Sequence, residues 1–175
     1  MGNGNRRPVR TAARWTVRLT AVTAALALPT AAFAAPVAAS SAATNCFVNG
    51  QPQAGPEIYG TAGDDDIRCD ALVSGDVIFG HLGNDTIRVT FNHAGVINGG
   101  PGRDTIRLEE ENTGLIQAGD DSDDVIASAN GALGRIHGNP GDDEIQVLLN
   151  QGVVDGNEGN DTCRVNEGTV LNCNP

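Results

Sequence analysis

Apolar residues recur along this chain in columns about twenty positions apart. Ile58, Ile78, Ile97, Ile116, Ile136 and Val154 open six successive segments. Nine residues further on stand Ile67, Ile87, Ile106, Val125, Ile145 and Cys163. Two beyond those stand Cys69, Val89, Leu108, Ala127, Val147 and Val165. Residues two apart share one face of a strand. Each segment therefore predicts strand, tight turn, strand, with the apolar column inward. No 3.6-residue periodicity competes, and the repeat is too short for a helix pair. Units of this kind stacked about 4.8 Å apart build a parallel β-solenoid whose rungs share one core.

Between the columns lie six short turns. They are Gly60-Thr61-Ala62-Gly63-Asp64-Asp65, Gly80-His81-Leu82-Gly83-Asn84-Asp85 and Gly99-Gly100-Pro101-Gly102-Arg103-Asp104. The others are Ala118-Gly119-Asp120-Asp121-Ser122-Asp123, Gly138-Asn139-Pro140-Gly141-Asp142-Asp143 and Gly156-Asn157-Glu158-Gly159-Asn160-Asp161. Their starts are 20, 19, 19, 20 and 18 residues apart, and each ends in Asp. A six-residue reversal that turns carbonyls inward needs positive φ at some positions. Gly supplies it without strain, and Asn and Asp tolerate it next best.

Stacking brings the six final Asp into a ladder. Carboxylates about 4.8 Å apart repel unless they are protonated or bridged by cations. The turns add backbone carbonyls, and no nitrogen or sulfur donor joins them. An all-oxygen site of this kind suits Ca2+, which takes six to eight oxygens in flexible geometry. The candidate metal-site residues are Gly60, Gly63 and Asp65; Gly80, Gly83 and Asp85; and Gly99, Gly100, Gly102 and Asp104. To these are added Gly119, Asp121 and Asp123; Gly138, Gly141 and Asp143; and Gly156, Gly159 and Asp161. Six turns leave at most five gaps. An interior carboxylate is expected to share its two oxygens between two neighbouring ions, and a terminal one to serve a single ion.

The segment Gly99 to Arg107 resembles the repeats-in-toxin (RTX), or haemolysin-type, calcium-binding nonapeptide G-G-x-G-x-D-x-U-x. Gly80 to Arg88, Gly138 to Gln146 and Gly156 to Arg164 are close variants. The resemblance implies an all-β fold, a right-handed parallel β-roll of about six rungs. It also implies calcium held between stacked turns by turn carbonyls and the sixth-position Asp. Tandem repeats in that family put metal turns on both edges of the roll. Here the intervening pieces, such as Thr90-Phe91-Asn92-His93-Ala94-Gly95, lack the motif, so one row of sites is expected.

The N-terminus adds a compartment. Arg6, Arg7, Arg10, Arg14 and Arg18 precede an apolar run from Leu19 to Leu28 and the small-x-small sequence Ala32-Phe33-Ala34. That pattern predicts a signal peptide over 1–34, and the apolar run is too short to span a bilayer. A linker or cap over 35–54 and a roll with a C-terminal cap over 55–175 complete the expected organisation. Export changes the charge. The whole chain carries 11 basic residues, all Arg, against 22 acids. Removing the leader leaves six arginines and a net charge of −16. Such self-repulsion opposes compaction unless a cation neutralises it, and it makes nucleic acid an unsuitable partner. Cys46, Cys69, Cys163 and Cys173, with no C-x-x-C pair, predict two disulfides rather than a zinc site. Of three connectivities, Cys46–Cys69 with Cys163–Cys173 clamps the two ends; the others would tie together opposite ends of the roll.

Other features fit less specific readings. Arg68, Arg88, Arg107 and Arg164 form an outward column, interrupted by Ile126 and Gln146. Acids in the neighbouring columns favour a surface ion ladder over a stripe for acidic polysaccharide. Thr86, Thr105 and Thr162 share a column that Asp66, Asp124 and Glu144 break, which disfavours an ice-binding array. Two N-glycosylation sequons, at Asn84 and Asn160, overlap the turns. His81, His93 and His137 occupy unrelated repeat positions and are expected in solvent. No nucleophile, zinc-protease or phosphate-loop motif occurs, and the repeat already accounts for the aspartates, so an enzyme is not expected. The expected function is a secreted calcium-binding structural or interaction module. The alternative is a solenoid that binds extracellular glycans. Calcium ions are the expected partner, with extracellular glycans or cell-surface proteins as further candidates and no membrane span.

Overall fold

The structure, a computed structural model, describes residues 45–174. The leader expected over 1–34 lies outside the described residues. Every regular element within them is a β-strand. The chain begins with β1 (Asn45–Val48), β2 (Gln51–Ala54), β3 (Glu57–Tyr59) and β4 (Asp66–Leu72). It continues through β5 (Val77–Phe79), β6 (Thr86–Asn92), β7 (Val96–Pro101), β8 (Thr105–Asn112), β9 (Leu115–Asp120) and β10 (Asp124–Asn130). The last five are β11 (Arg135–Pro140), β12 (Glu144–Asn150), β13 (Val153–Glu158), β14 (Thr162–Val165) and β15 (Thr169–Leu171).

Odd and even strands separate into two sheets. From β4 onward the even strands stack as β4-β6-β8-β10-β12-β14, and the odd ones as β3-β5-β7-β9-β11-β13-β15. All these pairings are parallel. The result is the six-rung β-solenoid that the apolar columns predict. Registers follow those columns: Ile67 pairs with Ile87, Ile87 with Ile106, and Ile58 with Ile78. Their side chains meet between the sheets and are buried, from Ile58 through Val154. Each such Ile contributes roughly 1.5–3 kcal/mol by leaving water. Among the described residues no aromatic ring is part of this buried core; Phe47, Tyr59 and Phe91 are exposed.

Both ends are closed. At the first rung β1 runs antiparallel to β4, with Cys46 opposite Cys69, and β2 folds back on β1. This hairpin covers an edge that would otherwise offer unpaired backbone groups. Cys46 is bonded to Cys69, and Cys163 to Cys173, the end-clamping pairing. At the last rung β15 extends the odd sheet, and Asn174 bridges Thr162. In the even sheet β8 has eight residues where β6 and β10 have seven. The register of β8 shifts against both neighbours.

Candidate metal-binding edge

The six turns lie along one edge of the solenoid. In the last four rungs the odd strand runs on through the first turn residues, ending at Pro101, Asp120, Pro140 and Glu158. The reversal is then compressed into the fourth and fifth positions. Left-handed backbone occurs at the fourth position, where Gly83 has φ 122°, Gly102 127° and Gly159 143°, and also at the second, in His81, Gly100, Gly119, Asn139 and Asn157. Asp121 takes the fourth position in the fourth turn at φ 79°, a conformation Asp tolerates.

The sixth-position Asp turns inward rather than out to solvent. Asp65, Asp85, Asp104, Asp123, Asp143 and Asp161 are all buried, Asp104 completely. Their two oxygens have different surroundings. Oδ1 accepts a hydrogen bond from the backbone N–H of the Asp one rung earlier. Asp65 N–H donates to Asp85 at 2.9 Å, Asp85 to Asp104 at 2.8 Å and Asp104 to Asp123 at 2.7 Å. Asp123 donates to Asp143 at 2.8 Å and Asp143 to Asp161 at 3.0 Å. The two oxygens of each carboxylate are therefore not equivalent, as an even division between two ions would have them. One oxygen is committed to the rung-to-rung ladder.

Oδ2 is the oxygen left over. In Asp85, Asp104, Asp123, Asp143 and Asp161 it is buried without a hydrogen-bond partner. Such an orphan in a native fold calls for an explanation, an ion among them. Asp65 is the exception. Its Oδ2 accepts from Thr61 N–H at 2.6 Å, and its Oδ1 from Asn49 Nδ2 at 2.5 Å. The first carboxylate is thus closed by its own turn and by the N-terminal cap.

The first turn glycine makes room for this oxygen. A Cβ on Gly80, Gly99, Gly138 or Gly156 would collide with Oδ2 of its own turn Asp. It would also collide with a carbonyl of the next layer: Gly99 O, Ala118 O, Gly156 O and Asn172 O respectively. Gly60 is similar, with Asp65 Oδ2 2.8 Å from the added atom. A carboxylate oxygen and a carbonyl oxygen thus converge beside each of these glycines. Ala118 carries a methyl at this place in the fourth turn. At the other predicted positions, Gly83, Gly100, Gly102, Gly119, Gly141 and Gly159 pack directly on the backbone of the preceding turn. Gly63 faces open space, and the Asp121 side chain is exposed.

Burial pushes these carboxyls up. Asp85 rises to about 6, Asp104 to about 7, Asp123 to about 8 and Asp143 to about 6. Loss of water is the main cause, opposed by the accepted N–H bond and reinforced by the neighbouring carboxylates.

Two polar columns were not singled out from the sequence. At the opposite edge Asn92, Asn112, Asn130 and Asn150 are buried in a chain of amides. Asn92 Nδ2 donates to Asn112 Oδ1, Asn112 Nδ2 to Asn130 Oδ1 and Asn130 Nδ2 to Asn150 Oδ1, each at 2.8 Å, and Asn150 Nδ2 ends the column without a partner. Beside the aspartates, fifth-position side chains accept the next turn's N–H: Asp64 from Asn84 at 2.7 Å, Asn84 from Arg103 at 2.9 Å, Asp142 from Asn160 at 2.9 Å. A count of Asn at the rung interval would have exposed the first column. The second sits at a position the nonapeptide leaves free.

Among the described residues no three His, Cys, Asp or Glu side chains converge. An ion at this edge would draw most of its shell from carbonyls, with one free carboxylate oxygen from each turn after the first. Oxygen-only donors, orphaned anionic oxygens and space kept by glycine fit calcium. The fold and this edge define a parallel β-solenoid with stacked Gly/Asp turns. The family model described as "RTX calcium-binding nonapeptide repeat (4 copies)" matches residues 74–88, which include the second of these turns. No curated protein and no solved structure matches the chain.

Proposed function

We propose that this protein is a secreted module whose rungs are locked by calcium, serving as a scaffold or interaction surface rather than as an enzyme. The observation that carries this reading is the row of five buried Oδ2 atoms without partners, on Asp85, Asp104, Asp123, Asp143 and Asp161. Calcium would be held there by those oxygens and by turn carbonyls such as Gly99 O and Ala118 O. Its charge would offset carboxylates that burial otherwise holds toward the protonated form. The leader-like N-terminus and the end-clamping disulfides support an oxidising, calcium-rich destination.

Calcium added to the chelated, disulfide-intact protein should restore β-structure, because the ions bind only the folded turns. The expected midpoint is about 10⁻⁴ to 10⁻³ M, the range of extracellular modules. Circular dichroism through a calcium titration measures it. A β-signal unchanged by exhaustive chelation would overturn the proposal.

A further inference from the structure

We propose a second site, on the outer face of the odd-strand sheet, that binds a neutral saccharide chain. Tyr59 and Phe79 stack with centroids 5.4 Å apart and planes 10° apart, and His81 stacks on both at 5.8 and 6.1 Å. Tyr59 and Phe79 are register partners in successive rungs, so the stack runs along the solenoid axis. The next residues in this column are Asn98 and Gln117, which are not rings. The aromatic column therefore ends with Phe79 in the second rung.

Beside Phe79 and His81 lies a trough. At the second turn position the rungs carry His81, Gly100, Gly119 and Asn139. His81 and Asn139 adopt positive φ, 79° and 77°, so a side chain is compatible with the left-handed backbone at this position. The two glycines between them leave a gap two rungs wide. It forms a cavity of about 440 Å³, with Phe79 and His81 at one end and Asn139 and Pro140 at the other. A second cavity of about 410 Å³ shares Gln117 and Asn139 with it, so the trough continues along the sheet.

The lining selects the ligand. An aromatic face packs against the C–H face of a sugar ring. Each side-chain amide offers a donor and an acceptor, as each sugar hydroxyl requires. Asn98 and Gln117 are half-buried, and their side chains bond to no other described residue. The first cavity has no Arg in its lining and includes Asp120, Arg135 lies only in the second, and the chain carries a net −11. A carboxylated or sulfated glycan would be repelled. The trough is lined in part by the turn residues Gly100 and Gly119, so it needs the scaffold that the turns build.

The test uses the disulfide-bonded protein with calcium present. Calorimetry would probe hexamers of β-1,3- and β-1,4-linked glucose, mannose, xylose, galactose and N-acetylglucosamine, with an alginate hexamer as the acidic probe. At least one neutral hexamer should bind with Kd of about 1 mM or tighter, and alginate should not. Gln117→Ala should weaken that binding by roughly five- to tenfold, the value of one hydrogen bond. Its thermal midpoint and calcium midpoint should not move. Phe79→Ala should weaken binding further. Three results would overturn the proposal. The first is no binding by any neutral hexamer. The second is binding unaffected by Gln117→Ala. The third is binding of alginate alone, lost in Arg68→Ala, which would move the glycan to the Arg column. Failure of the calcium reading would appear instead in the chelation experiment.

Discussion

The turn aspartates divide labour between their two oxygens, and that division sets what each substitution removes. Asp104→Ala deletes the acceptor for the buried Asp85 N–H, a loss of about 1–3 kcal/mol. It also deletes the free Oδ2 beside Gly99. Asp65→Ala removes contacts to Thr61 and Asn49 but no orphaned oxygen. Calorimetric calcium counts should therefore fall by one for Asp104→Ala and stay unchanged for Asp65→Ala. Asp66→Ala, at a half-exposed position paired with Arg68 and Arg88, should also leave the count unchanged. Asp104→Asn separates the two functions. The amide keeps an acceptor for Asp85 and places an N–H₂ beside the Ala118 carbonyl. Thermal melts should show Asp104→Asn more stable than the parent in chelator, with a smaller calcium response. An equal calcium count for Asp104→Asn and the parent would show that this oxygen does not bind the ion.

Elements in this protein are held at two edges by opposite chemistry. The aspartate edge stacks anions, whereas the asparagine edge stacks neutral amides that bond to one another from Asn92 to Asn150 without any ion. Asn112→Ala would strand Asn92 Nδ2 and Asn130 Oδ1 in a buried position. Two unsatisfied groups cost roughly 2–4 kcal/mol, so chemical denaturation with saturating calcium should show a loss of that size. Leu72 pairs with Asn92 and begins the column as an apolar residue, so the ladder starts one rung into the roll. On the outer face of the even sheet the arginines fall in one column. Arg68 and Arg88 pair with Asp66, and Arg164 with Glu144. Exposed pairs of this kind contribute little. They support the reading of that column as an ion ladder.

Across the whole molecule the raised carboxyls set a pH dependence. Asp85, Asp104, Asp123 and Asp143 sit at about 6 to 8 when folded, above their ordinary 3.8. Between those limits the folded chain holds more protons than the unfolded one, so stability falls as pH rises. In chelator the protein should be most stable near pH 4 and lose stability steadily up to about pH 8. Saturating calcium should flatten that slope, because the ion replaces the protons. Urea denaturation at several pH values, with and without calcium, measures both slopes. A chelated protein that gained stability from pH 5 to pH 8 would contradict the buried ladder.

The sequence alone determined the rung. Its period, the inward columns from Ile58 to Val165, the turn positions and the disulfide pairing were all legible, because a strand alternates its faces and a stacked repeat copies one rung's pattern into the next. The candidate ligands were legible as residue types for the same reason. Tertiary structure decided how those residues are used. Whether an Asp oxygen meets an amide or nothing depends on the backbone of the adjacent rung, which no pattern within one turn records. The closure of Asp65 by Asn49 depends on a cap strand that pairs antiparallel, outside the repeat. The trough beside Phe79 depends on which side chains are missing from neighbouring rungs. Each of these is a relation between rungs, so it exists only once the layers are stacked in register.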